Sequence, residues 1–115
     1  MIKISELKKQ IEIFNICLQE ERFFDAHEAI ESIWFKLRKE KSNEVKLLRA
    51  YINAAVSFEL YKRGRCDASQ KVWCNFIKHQ ALLSIIESKY QPYYALAEGK
   101  ILEIRENLYK NDNIS

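Results

Sequence analysis

The sequence has very little glycine and proline, with two Gly and one Pro in 115 residues. All-β proteins use these residues in their many turns, so the scarcity favours long helices joined by short links. No apolar run approaches the roughly 20 residues of a membrane-spanning helix, so we expect no membrane association. The three cysteines, Cys17, Cys66 and Cys74, form no C-x-x-C pair, and an odd number fits no closed set of disulfides. We therefore expect free thiols and a cytoplasmic protein.

The sequence also lacks a strong excess of charge of either sign, because 19 basic and 16 acidic residues leave a net charge of only +3. Dedicated nucleic-acid-binding proteins usually carry a clustered basic excess on one face. Here the basic residues surround two interhelical turns that are predicted at opposite ends of the fold. Nucleic acid is therefore not an expected partner, although a weak RNA-binding helical domain stays an alternative. The two clusters are Lys36, Arg38, Lys39, Lys41 and Lys46, and Lys62, Arg63, Arg65, Lys71 and Lys78.

The residues that are present suffice for one well-packed domain covering residues 1–115. Hydrophobic residues make up 48% and charged residues 30%, a composition typical of a folded globular chain. Residues 50–58 carry no charge on any face, which places the third helix in the middle of a bundle. We predict an all-α fold, a compact antiparallel bundle of about five helices with the third one central. The predicted helices cover about 5–20, 25–39, 44–63, 67–88 and 100–110.

Helix boundaries are predicted from capping residues. Asp25 with Glu28, and Asp67 with Gln70, have the spacing of a capping box, so the second and fourth helices are predicted to begin there. Ser42 precedes the third helix, whose end at Lys62-Arg63-Gly64 is a typical helix C-terminus. Residues 89–99 hold the only proline and are predicted to form a loop.

A pair of polar residues does not fit the apolar pattern of the second helix. His27 and Glu31 lie one turn apart, and Phe24 and Phe35 follow on the outer side. We expect this pair to be partly buried, and buried polar groups need hydrogen-bond partners. Arg49 and Asn53, one turn apart on the third helix, are the predicted partners in a cross-helix polar network, of which Glu28 is a further candidate member.

The same segment resembles a known family. FDAHEAIESIW, from Phe24 to Trp34, is similar to the F-[ED]-A-H-E-x-L-E-x-x-W signature of domain of unknown function family 309. The resemblance extends to about Phe76, with Arg49 and Ala50 standing where the family has Gln and Gly. It implies a small all-helical fold and no particular activity. The signature positions are Phe24, Asp25, Ala26, His27, Glu28, Glu31 and Trp34.

Catalysis is the less favoured reading of these residues. A metal-dependent hydrolase that uses His27, Glu28 and Glu31 is the alternative, because HExxE is similar to the HExxH helix of zinc proteases. However, the second histidine is replaced by Glu31, and the chain contains no Glu-x-x-His pair of the di-iron type. Glu28 is already assigned to a capping box. We expect no metal ligand, no catalytic residue and no cofactor.

We favour a protein-binding or self-assembly module. The chain has six Phe, six Tyr and two Trp, many aromatic residues for its size. Tyr90, Tyr93 and Tyr94 fall in the predicted loop, and tyrosine is a common interface anchor. We expect this loop, or a groove beside Phe24 and Phe35, to bind another protein or a second copy of the chain.

Overall fold

The computed structural model describes residues 4–40 and 42–114, with the side chains of residues 5–40 and 42–110. Within these ranges the chain forms five α-helices and one short 3-10 helix and contains no strand. The predicted all-α fold is therefore confirmed. The elements are α1 (Ile4–Gln19), α2 (Phe23–Leu37), α3 (Asn43–Lys62), α4 (Cys66–Gln80), the 3-10 helix (Ala81–Ser84) and α5 (Gln91–Ile114).

Helix α3 lies at the centre of the bundle, as predicted. It packs against α2, α4, α5 and the 3-10 helix, whereas α1 packs against α2 and α5. Small side chains at Ala50, Ala54, Ala55 and Ser57 are fully buried, and their size permits the close approach of these neighbours. None of the described helices is long and apolar enough to cross a membrane.

Aromatic rings fill the core around α3. Phe58 contacts Phe23 of α2 at a ring-centroid distance of 5.4 Å and Trp73 of α4 at 5.8 Å. Trp73 also packs against Phe76, with centroids 4.8 Å apart. Tilted ring pairs at these distances add stability beyond the area they bury. The rings thus join α2, α3 and α4 into one hydrophobic core.

Both predicted ends of α3 are confirmed. The Ser42 hydroxyl accepts a hydrogen bond from the backbone N–H of Val45 at 3.3 Å and so caps the helix N-terminus. Gly64 follows the helix with φ of +77°, a left-handed conformation that glycine adopts without strain. These two signals depend on local chemistry alone, which is why the sequence was sufficient to place them.

The two predicted capping boxes are wrong. Helix α2 begins at Phe23 and α4 at Cys66, and neither helix has a side-chain hydrogen bond at its N-cap. Asp25 and Asp67 therefore lie inside the first helical turn. The earlier start of α2 places the buried ring of Phe23 in the first helical turn, where it packs into the core.

The predicted loop at 89–99 is also wrong, since α5 begins at Gln91. Pro92 occupies the second helical residue, where the missing N–H removes no intrahelical hydrogen bond. The fourth helix was predicted to reach about residue 88, but α4 ends at Gln80 and the 3-10 helix follows it directly. The proline marks the start of a helix and not an interruption between two.

Candidate functional site

Four residues form an exposed stripe along α2, which we call the α2 face: Phe24, Glu28, Glu31 and Phe35. Their spacing of 0, 4, 7 and 11 positions places them on one side of the helix. The two phenylalanines are 54% and 58% exposed, although phenylalanine is usually buried in a folded protein. At a rise of 1.5 Å per residue, they lie about 16 Å apart along the helix axis.

His27 lies beside the α2 face and pairs with Glu31. Its Nε2 atom is 2.8 Å from Oε2 of Glu31, and the ring of Phe24 approaches the imidazole edge-on with centroids 5.6 Å apart. The imidazole side chain is 20% exposed, whereas the Glu31 side chain is 51% exposed. The pair was predicted to be partly buried, and the histidine is the more buried member, whereas the Glu31 carboxylate lies half in solvent.

The predicted partners on α3 do not complete the network. In the part of the chain that the structure describes, no hydrogen bond or ion pair joins Arg49 or Asn53 to His27 or Glu31. The guanidinium group of Arg49 instead lies over the ring of Trp34, 5.8 Å from its centroid. Arg49 and Asn53 border a small cleft of about 190 Å³ together with Glu31 and Trp34, so the structure brings these residues near each other without bonding them.

No metal centre forms from these side chains. Across residues 5–40 and 42–110, no three His, Cys, Asp or Glu side chains gather as ligands for a metal ion. His27 and Glu31 offer two donor atoms, and His79 borders a different cleft between α3 and α4. The predicted hydrolase alternative therefore lacks a third ligand in the described part of the chain.

The basic clusters include several internally paired cations. Lys36 bonds to Glu6, Arg63 to Glu59 at 2.8 Å, and Lys62 to Glu21 at 2.8 Å, whereas Lys41 lies outside the described residues. A cation that is already paired with a carboxylate is less available to a phosphate backbone. The pairing gives no support to the RNA-binding alternative.

The tyrosines predicted as an interface lie mainly in the core. Tyr94 is fully buried and Tyr90 nearly so, while Tyr93 packs partly buried against the same core. The Tyr94 hydroxyl donates a hydrogen bond to Glu44 in the first turn of α3, and the hydroxyl of Ser88 donates to the same carboxylate at 3.1 Å. The prediction of an exposed tyrosine loop is corrected, because these residues seal the start of α5 onto α3.

A second polar contact links α3 to α5 and was missed by the sequence reasoning. The Tyr51 hydroxyl donates to the backbone carbonyl of Tyr94 at 3.1 Å and approaches Glu98 at 3.4 Å. Burial raises the pKa of the Tyr51 and Tyr94 phenols well above the usual range, and the nearby carboxylates raise it further. Burial also raises the pKa of Glu98. Assigning residues 89–99 to a loop concealed this contact, because Glu98 follows Tyr94 by one helical turn.

Comparison with known proteins identifies the family. The model of the family described as Domain of unknown function (DUF309) matches residues 11–72, more than half of the 115 residues. The matched segment contains all of α2 and the α2 face, and it ends within α4. Comparison with curated proteins and with solved structures gives no match. The chain belongs to the DUF309 family.

Proposed function

We propose that the protein is a non-catalytic binding module whose α2 face docks a basic amphipathic helix of another protein. The observation that carries the proposal is the pair of half-exposed phenylalanines at the two ends of the α2 face, with two glutamates between them. Recognition of an amphipathic helix commonly depends on a few large apolar anchors spaced along one helix face. The α2 face offers such anchors and flanking recesses.

A shallow recess lies beside each phenylalanine. Next to Phe24 a recess of about 250 Å³ is lined mainly by apolar side chains of α2 and α3, including Val56 and Leu60. Next to Phe35 a second recess of about 380 Å³ is bordered by Ser32 and by the glutamates of the α2 face. Aromatic anchors with adjoining recesses are the usual positions of binding hot spots. We infer that each recess receives one apolar side chain of the partner.

Charge identifies the kind of partner. Glu28 forms no ion pair within the described part of the chain, and Glu31 pairs only with the titratable His27. Of the neighbouring cations, Lys36 and Arg63 are bound to Glu6 and Glu59, whereas Arg38 lies over the Phe35 ring, 3.7 Å from its centroid. The negative charge of the α2 face is therefore that of the two glutamates between the phenylalanines. Lysine or arginine side chains between two apolar residues of the partner would complement this pattern.

The same charge pattern argues against a second copy as the partner. A twofold contact through the α2 face would bring Glu28 and Glu31 of one copy against the same residues of the other. Like charges brought together in an interface oppose association. We therefore favour a basic partner over self-assembly and treat a second copy as an outcome of the test.

The experiment uses a synthetic amphipathic helical peptide with two leucines eleven residues apart and lysines between them. Its binding is measured by isothermal titration calorimetry against a matched peptide with glutamates in place of lysines. We expect the basic peptide to bind, and Phe24→Ser and Phe35→Ser each to weaken binding about tenfold, as truncation of an anchor residue does. Ile16→Ser is the control, because Ile16 is a 55% exposed apolar residue on α1.

Three outcomes would overturn the proposal. The first is equal binding of the basic and acidic peptides, and the second is an Ile16→Ser effect as large as that of Phe24→Ser. The third is a concentration-dependent dimer, detected by size-exclusion chromatography with light scattering, that Phe24→Ser dissociates. That last result would make a second copy the occupant of the α2 face.

A further inference from the structure

A cleft lies between α4, the 3-10 helix and the start of α5, away from the α2 face. Helices α4 and α5 both pack against α3, and Arg105 of α5 donates a hydrogen bond of 2.9 Å to Gln70 near the start of α4. The cleft lies between the other end of α4 and the start of α5. The cleft has a volume of about 690 Å³. This volume falls within the range of about 300–1,000 Å³ that is typical of sites for small molecules.

The cleft has apolar walls and a small number of polar groups. Ile77 of α4 and Pro92 and Ala95 of α5 supply apolar wall surface, and Gln80, Gln91 and Glu98 supply the polar groups. One end is closed by a hydrogen bond of 2.8 Å from Nε2 of Gln91 to the backbone carbonyl of Leu83.

Glu98 is the only ionisable residue that lines the cleft. Its carboxyl group is approached by the Tyr51 hydroxyl at 3.4 Å and accepts a hydrogen bond from the Gln80 side chain, so both of these donors are neutral. No ion pair involves Glu98 in the described ranges, and no Lys, Arg or His lines the cleft. Burial raises the pKa of this carboxyl group, which indicates that its charged form lacks full compensation.

We propose that this cleft binds a small hydrophobic amine, with the apolar body against Ile77, Pro92 and Ala95 and the ammonium group on the Glu98 carboxylate. A cation supplies the compensation that the neutral donors do not, and a charge-assisted hydrogen bond is stronger than a neutral one. A ligand carboxylate would instead be repelled by Glu98. A neutral alcohol of the same length would bury the same apolar surface without gaining the ion pair.

The test compares three ligands with one carbon chain: hexylammonium, hexanol and hexanoate. Binding is followed by amide chemical shifts in NMR spectra of the full chain. We expect hexylammonium to bind about tenfold more tightly than hexanol, and hexanoate to bind least well. Glu98→Gln keeps the side-chain shape and an acceptor for Tyr51, and it should reduce the preference for the amine to near unity. Glu106→Gln is the matched control, since Glu106 is an exposed residue of α5 outside the cleft.

A second variant locates the ligand. Ala95 is exposed on the cleft wall, so Ala95→Phe should fill the cleft without disturbing the core and should abolish binding of both amine and alcohol. The proposal is overturned if no ligand binds, or if amine and alcohol bind equally to the unaltered chain. It is also overturned if Glu98→Gln and Glu106→Gln weaken amine binding to the same extent, or if Ala95→Phe leaves binding intact.

Discussion

In two regions of this molecule a histidine or tyrosine side chain bonds to a carboxylate, and the two regions differ in their exposure to solvent. On α2, His27 and Glu31 bond within one helix, with the carboxylate half in solvent. Between α3 and α5, the Tyr94 hydroxyl bonds to Glu44 across two helices, and Tyr94 is fully buried. The first pair lies on the surface of one helix, whereas the second joins two helices.

The difference shows which polar residues a helical core accepts. A phenol buries a large apolar ring and leaves one hydroxyl to satisfy, so a single acceptor suffices. An ionised carboxylate needs several partners when it is buried. Glu44 and Glu98 are accordingly only half-buried, and each receives a tyrosine hydroxyl from the core side. Between α3 and α5, tyrosine therefore supplies the buried polar groups, and the acids stay at the edge of the core.

The largest expected effect sharpens this comparison by removing one ring from each region. We expect Tyr94→Ala to lower the free energy of unfolding by about 3–5 kcal/mol, because it opens a cavity and removes one of the two hydroxyl donors to Glu44. Phe24→Ala removes a ring of similar size from the α2 face and should change stability by less than about 0.5 kcal/mol. Urea unfolding followed by circular dichroism measures both. Equal losses would show that the α2 face is covered in solution.

A second prediction concerns ionisation of the buried phenols. Tyr51 and Tyr94 have pKa values raised by burial, so both stay protonated in the folded chain at a pH where unfolded tyrosine ionises. The unfolded state then binds fewer protons, and stability falls as the pH rises above about 10. The slope of the unfolding free energy against pH should approach the value for a difference of two bound protons. Tyr94→Phe should reduce that difference to one proton.

Absorbance of phenolate, measured as the pH is raised, checks this prediction independently. Of the six tyrosines, Tyr51 and Tyr94 should ionise only together with loss of helical circular dichroism. If all six titrate before the helices unfold, the α3–α5 contact is open to water, and the contrast with the α2 face disappears.

Sequence reasoning predicted the parts of the fold that depend on local pattern. The uncharged stretch around Ala54 placed α3 at the centre, and the one-turn spacing of His27 and Glu31 placed these two side chains next to each other on α2. Both depend on helical periodicity, which is visible within one segment. The ends of α3 at Ser42 and Gly64 were placed correctly for the same reason.

The rest depends on contacts between distant segments. Glu44 and Tyr94 are 50 residues apart, and no short-range pattern indicates that they bond. The proline at position 92 was interpreted as part of a loop, and that error moved Tyr94 and Glu98 from a buried helix to an exposed connection. His27 and Glu31 were correctly placed one turn apart on α2. The half-exposed carboxylate of Glu31 needs no cross-helix partner, however, because water solvates it.

The smallest expected effect tests the α2 side of the comparison directly. Glu31→Gln removes the carboxylate that contacts His27, and an exposed side-chain pair one helical turn apart contributes only about 0.3–0.5 kcal/mol. We therefore expect the free energy of unfolding, measured by urea denaturation, to fall by no more than about 0.5 kcal/mol, well below the loss for Tyr94→Ala. Had Arg49 and Asn53 bonded to Glu31 across the helices, removing its charge would cost about 1–3 kcal/mol. A loss of about 1–3 kcal/mol would therefore support the cross-helix network, because an isolated surface pair contributes less than that to the free energy of unfolding.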